Sequence, residues 1–183
     1  MANQVLFVHG GGGGAYEADA KLAASLRARL GAEYVVRYPE MPNEEEPDYE
    51  TWKDIITREV ADMGSGAILV GHSIGASVII RVVVDGGIEQ SLAGVFLLAA
   101  PFWYDHDFWC WKDVELPGNA AERIPGDLPV FLYHGRQDES VPFSHVEMYA
   151  RALPRATVRP LDGRNHQLDD DLTEVAREIM LLR

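Results

Sequence analysis

Short apolar runs alternate along this chain with longer segments whose apolar positions recur every three or four residues. Runs at 5–8, 34–38, 67–70, 94–98, 130–133 and 156–161 predict strands. Helical spacing fills the intervals. Segment 17–30 places Leu22, Leu26 and Leu30 on one stripe, with Gly31 as its stop. Trp52, Ile55, Ile56, Val60 and Met63 keep the same period until Gly64. Segment 76–84 is apolar throughout and too long for a second strand without a turn, so it predicts a buried helix. Segment 142–153 predicts a helix with Pro142 in its first turn, and Leu172, Val175, Ile179 and Leu182 predict a closing one. Asp169, Asp170 and Asp171 are expected to favour the N-terminus of that last helix.

Strands alternating with helices imply an α/β fold: a three-layer αβα sandwich around a mostly parallel sheet of about six strands. No internal repeat or linker divides the chain, so 1–183 reads as one domain. The irregular stretch 101–129 is the single excursion and a candidate small cap. Right-handed crossovers place the loops after the strands at one sheet edge, where folds of this class keep their sites.

Chemistry concentrates in those loops. Gly71-His72-Ser73-Ile74-Gly75 joins the strand at 67–70 to the buried helix, which is the G-x-S-x-G pattern of a nucleophile elbow. Flanking glycines allow the sharp bend and the close approach of helix and strand, and the N–H groups of the helix start are left free for an anion. A serine hydroxyl is a weak nucleophile at neutral pH, and it needs a base held by a carboxylate. The loop after 130–133 reads His134-Gly135-Arg136-Gln137-Asp138, and the loop after 156–161 reads Asp162-Gly163-Arg164-Asn165-His166. Ser73, Asp138 and His166 thus follow three strand ends in the order Ser…Asp…His. His9, His72, His106, His134 and His145 compete for the base, and Glu139 and Asp162 for the carboxylate. His9 and His134 end strands before a glycine and are expected to brace loops.

These pieces resemble the α/β-hydrolase superfamily, and in particular its small, nearly lidless serine hydrolases of the retinoblastoma-binding-protein and dienelactone-hydrolase-like types. The resemblance is carried by Val8-His9-Gly10-Gly11, the elbow 71–75, His134-Gly135 with Asp138 and Val141-Pro142, and Gly163 with His166. It implies a minimal α/β-hydrolase fold. The sequence departs from larger members in beginning directly at the strand before His9-Gly10, so their two leading antiparallel strands are expected to be absent. It also implies a Ser73–His166–Asp138 triad and an oxyanion hole from the N–H groups of Ile74 and Gly11, with Gly12 as the alternative. The expected reaction is cleavage of an ester-like acyl bond through an acyl-enzyme. A peptidase or thioesterase with the same triad is the alternative, and a vestigial triad in an interaction protein is the reading outside enzymology.

The run Gly10 to Gly14 also admits a dinucleotide template, Gly10-x-Gly12-x-x-Ala15 with Glu33 further on. Five consecutive glycines satisfy almost any such template, and no Gly-Lys-Ser/Thr follows to make a phosphate loop. Phe102, Trp103, Tyr104, His106, Phe108, Trp109 and Trp111 crowd the excursion. They read either as a satellite core or as a pocket, in which Trp103, His106, Phe108 and Trp109 would bind substrate.

Composition narrows the partners. A formal charge of −13 argues against nucleic acid and anionic membrane as partners. The partner that the resemblance implies is a small-molecule acyl substrate. No metal and no cofactor are expected. A lone cysteine, Cys110, and an N-terminus without a basic segment before its apolar run fit a cytoplasmic protein with no signal peptide. The oligomeric state is not encoded in these patterns.

Overall fold

The computed structural model describes residues 2–182. Six strands form one sheet: β1 (Asn3–Val8), β2 (Tyr34–Arg37), β3 (Ala67–His72), β4 (Leu92–Leu98), β5 (Val130–Gly135) and β6 (Thr157–Leu161). Their order is β2-β1-β3-β4-β5-β6, and every pairing is parallel. The sheet is thus wholly rather than mostly parallel.

The helices are α1 (Ala15–Leu30), α2 (Tyr49–Met63), α3 (Ile74–Val84), the single turn α4 (Ala120–Arg123), α5 (Ser144–Ala152) and α6 (Thr173–Ile179). Alternation along the strands sorts the core into two halves. Leu6 and Val8 of β1 pack with Leu69 and Leu97 against Trp52, Ile56, Ile79 and Tyr149, which are carried by α2, α3 and α5. Val5 and Phe7 pack with Val70 and Phe96 against Leu22 and Leu26 of α1 and Val175 and Ile179 of α6. Apolar residues on both faces of β1 and β3 explain why those strands read as continuous runs rather than alternating ones.

The three aspartates before α6 do not start it. Leu168, Asp169 and Asp170 all adopt positive φ, a left-handed turn that places α6 three residues later. Local hydrogen bonds outcompete helix formation here. Asn165 Oδ1 accepts the Asp169 N–H at 3.0 Å, and Arg164 Nη1 donates to the Leu168 carbonyl at 2.8 Å. Asp171 instead takes the Thr173 N–H and hydroxyl at 3.1 and 2.6 Å.

Candidate active site

Ser73 occupies the turn between β3 and α3 with φ 51° and ψ −123°, a conformation few non-glycine residues adopt. Its N–H is tied to the Leu98 carbonyl at 2.8 Å, which locks the turn to β4. Close packing makes the glycines necessary. A Cβ on Gly71 would lie 2.6 Å from Ala76 Cα, and one on Gly75 would press into the Val8 and His9 carbonyls at the end of β1.

The turn aims the hydroxyl at His166, with Ser73 Oγ 3.2 Å from Nε2. His166 Nδ1 stands 2.8 Å from Asp138 Oδ2. Asp138 itself is gripped from several sides. Its Oδ1 accepts the N–H groups of Ser140 and Val141 at 2.9 and 2.7 Å, and His134 Nε2 lies 3.2 Å from Oδ2. Burial would raise this carboxyl, yet hydrogen bonds from His134, His166 and the Val141 N–H hold it well below the usual carboxylate range. An ionised Asp138 only accepts, so the proton of His166 sits on Nδ1 and the lone pair of Nε2 faces the serine.

The competing histidines are committed elsewhere. His9 donates through Nδ1 to the Gly10 carbonyl at 2.7 Å and accepts the Met41 N–H at Nε2 at 2.9 Å, and burial lowers its pKa. His134 shares its Nε2–H between the Val141 carbonyl at 2.9 Å and Asp138 Oδ2 at 3.2 Å. Both brace loops. His145, buried with a lowered pKa, accepts the Phe102 N–H at 2.9 Å. His106 turns Nδ1 to the N–H groups of Phe108 and Trp109 in its own loop. His72, next to the serine, points away from it, to Asp19 and to the His166 carbonyl. Among the carboxylates, Glu139 reaches only the His166 N–H, and Asp162 pairs at the surface with Arg136.

Hydrogen bonding also discriminates within the glycine run. The Gly10 N–H donates to Asp19 Oδ2, that of Gly12 to the Glu44 carbonyl, and that of Gly14 to Glu44 Oε1. Among the described residues, the N–H groups of Gly11 and Gly13 have no partner. A Cβ on Gly11 would lie 2.7 Å from Ile74 Cδ1, so this part of the loop passes directly against the start of α3. Gly12, the alternative donor, is already used.

A cleft of about 220 Å³ opens over this constellation, bounded by the glycine run, Asp19, Ser73, His166 and Gln167. Trp103, His106, Phe108 and Trp109 do not line it. They form their own cluster beyond β4, with Trp109 ring centroids 6.1 Å from Trp103, 4.8 Å from Phe108 and 4.5 Å from His145. Among the described residues no group of three His, Cys, Asp or Glu side chains could hold a metal ion, and no helix is long and apolar enough to cross a membrane.

Two residues of the site were not read from the sequence. Asp19 shares the apolar face of α1 with Leu22 and Leu26, and an acid on a buried stripe was the available signal. Glu44 gave none. It lies in an acidic loop, and its carboxylate reaches the Gly14 and Tyr16 N–H groups at 2.6 and 2.7 Å across about 30 residues of chain.

The sequence matches the model of the alpha/beta hydrolase family over residues 5–121. No curated protein sequence matches it. Similar solved structures share its fold at low identity. A variant of SOBER1 from Arabidopsis thaliana is 17% identical with a TM-score of 0.72, each chain 98% covered. The ydeN gene product of B. subtilis is 19% identical with a TM-score of 0.74, over 98% of this chain and 97% of that one. A monoacylglycerol lipase from Paleococcus ferrophilus is 18% identical with a TM-score of 0.68, over 96% and 91%. On the strength of the family match, which spans more than half its length, this chain belongs to the alpha/beta hydrolase family.

Proposed function

We propose that this protein is a serine hydrolase that cleaves an ester-like acyl bond of a small molecule through an acyl-enzyme on Ser73. The observation that carries the reading is the unbroken relay from Ser73 Oγ to His166 Nε2 at 3.2 Å and from His166 Nδ1 to Asp138 Oδ2 at 2.8 Å. In the first half-reaction His166 Nε2 takes the hydroxyl proton as Oγ attacks the acyl carbon. The developing oxyanion falls to the N–H groups of Gly11 and Ile74. Asp138 stabilises the imidazolium, which then gives its proton to the departing alkoxide. Water repeats the sequence in reverse and frees Ser73 as the acid is released.

The cleft of about 220 Å³ is smaller than the roughly 300 Å³ at which pockets for drug-sized ligands begin, which favours a short acyl or alcohol group there. The aromatic cluster of Trp103, His106, Phe108 and Trp109 stands after β4 at the same sheet edge, and we assign it the remainder of the substrate. The net charge of −13 favours a neutral or cationic molecule over a polyanion.

The test is turnover of p-nitrophenyl esters of graded acyl length, beside thioester and anilide counterparts. Short esters should be hydrolysed fastest, and Ser73→Ala should lose the activity while keeping its melting temperature. Preference for the thioester or anilide would reassign the substrate class. Ester turnover that survives in Ser73→Ala would overturn the reading.

A further inference from the structure

A second histidine–carboxylate pair lies directly behind the candidate triad. His72 ends β3 beside the nucleophile, and Asp19 comes from α1; their side chains are 2% and 1% exposed. His72 Nδ1 is 2.8 Å from Asp19 Oδ2, and its Nε2 is 3.0 Å from the backbone carbonyl of His166. The same Asp19 oxygen accepts the Gly10 N–H at 2.8 Å. Four segments therefore meet at two side chains: helix α1, the elbow strand, the glycine loop and the loop that carries the base.

A carbonyl oxygen only accepts, so Nε2 of His72 carries a proton. A ring protonated on Nε2 alone would turn the Nδ1 lone pair to Asp19 Oδ2 at 2.8 Å, two acceptors at hydrogen-bond distance, so a second proton lies between them. The two contacts of the ring thus require the pair to hold one proton more than a neutral imidazole beside a free carboxylate. Coulombic attraction opposes the burial of both groups, raising His72 and lowering Asp19, and an imidazolium–carboxylate pair accounts for both directions.

We propose that Asp19 and His72 form a buried, proton-holding pair that positions the base loop and the oxyanion loop around Ser73. This rests on the hydrolase reading above. Neither residue touches the reacting atoms; they act through the backbone of His166 and of Gly10. Fixing the Gly10 N–H from Asp19, while His9 holds the Gly10 carbonyl from the other side, sets the plane of the next peptide. The N–H of that peptide is the Gly11 donor. The His72 bond to the His166 carbonyl sets the height of the imidazole over the serine. Displacing either by about 1 Å is enough to cost about 100-fold in rate.

Two measurements test this. Long-range 1H–15N spectra of the wild-type protein should show protons on both ring nitrogens of His72; a singly protonated ring would overturn the pair. Substitutions then separate position from packing. The side-chain amide nitrogen of glutamine falls near the place of Nε2, so His72→Gln keeps a donor for the His166 carbonyl. That of asparagine falls near Nδ1, so His72→Asn does not. His72→Gln should stay within about 10-fold of the wild-type kcat on p-nitrophenyl acetate, while His72→Asn falls about 100-fold at nearly unchanged KM. Equal kcat in the two variants, or losses that simply follow melting temperature, would overturn the positioning role. If His72→Asn does not fold, the ring spectrum and the kcat of His72→Gln decide. A wild type that turns over no ester and takes no fluorophosphonate would sink the hydrolase reading and the positioning role with it, while the spectrum still reports on the pair itself.

Discussion

Gly75→Ala adds a single methyl group where the elbow helix meets the end of β1. The new Cβ would stand 2.6 Å from the Val8 carbonyl oxygen, where ordinary contact begins near 3.4 Å, and closer still to that of His9. Both obstacles are backbone, so no side chain can swing aside. Helix α3 and β1 must part by about 1 Å. Overpacking of this kind costs about 1–3 kcal/mol, and rigid neighbours place it near the upper value. For a domain of this size about 3 kcal/mol lowers the melting temperature by about 6–12 °C. The same displacement moves His9 and Gly10 relative to Ser73 and so spoils the approach of the Gly11 N–H, for a loss in kcat of up to about 100-fold. Urea unfolding with a fitted midpoint and slope, together with kcat on p-nitrophenyl acetate, measures both. Gly118→Ala is the control, since its Cβ would meet nothing within 4 Å, and it should change stability by less than about 0.5 kcal/mol. A Gly75→Ala variant with wild-type midpoint and kcat would refute the close-packed elbow.

Asp138 offers a pH test of stability. Its folded carboxyl lies well below the unfolded value of about 3.9, so it contributes stability that is present above that value and is lost as pH falls toward the folded one. The melting-temperature gap between wild type and Asp138→Asn should be wide at pH 7 and narrow on going to pH 3; a gap independent of pH would contradict the hydrogen-bonded carboxylate. Trp109→Ala removes the ring that packs against Trp103, Phe108 and His145. The ranking among acyl lengths should change more than the rate on acetate esters, whereas a uniform loss with a lower melting temperature would make this cluster a satellite core only.

The fold was legible because strand–helix alternation and parallel topology are local and periodic. The six strand positions lie within a few residues of their structural bounds, and they carry Ser73, Asp138 and His166 to one edge. Long-range polar partners left no periodic trace. The choice among Gly10 to Gly14 depends on which N–H groups Asp19 and Glu44 consume, and that follows from chain crossings of 9 to 32 residues. The left-handed turn at 168–170 was hidden for a related reason. Three acids in a row favour a helix start, but Asn165 and Arg164 capture the backbone first.

The central claim is that Ser73 is a nucleophile activated by His166. Incubation of the protein with a fluorophosphonate, followed by digestion and mass spectrometry, tests it without any knowledge of the natural substrate. A single phosphonyl adduct should appear on Ser73, be absent from Ser73→Ala, and form far more slowly in His166→Ala. An unmodified wild type, an adduct on another residue, or equal labelling rates with and without His166 would contradict the account.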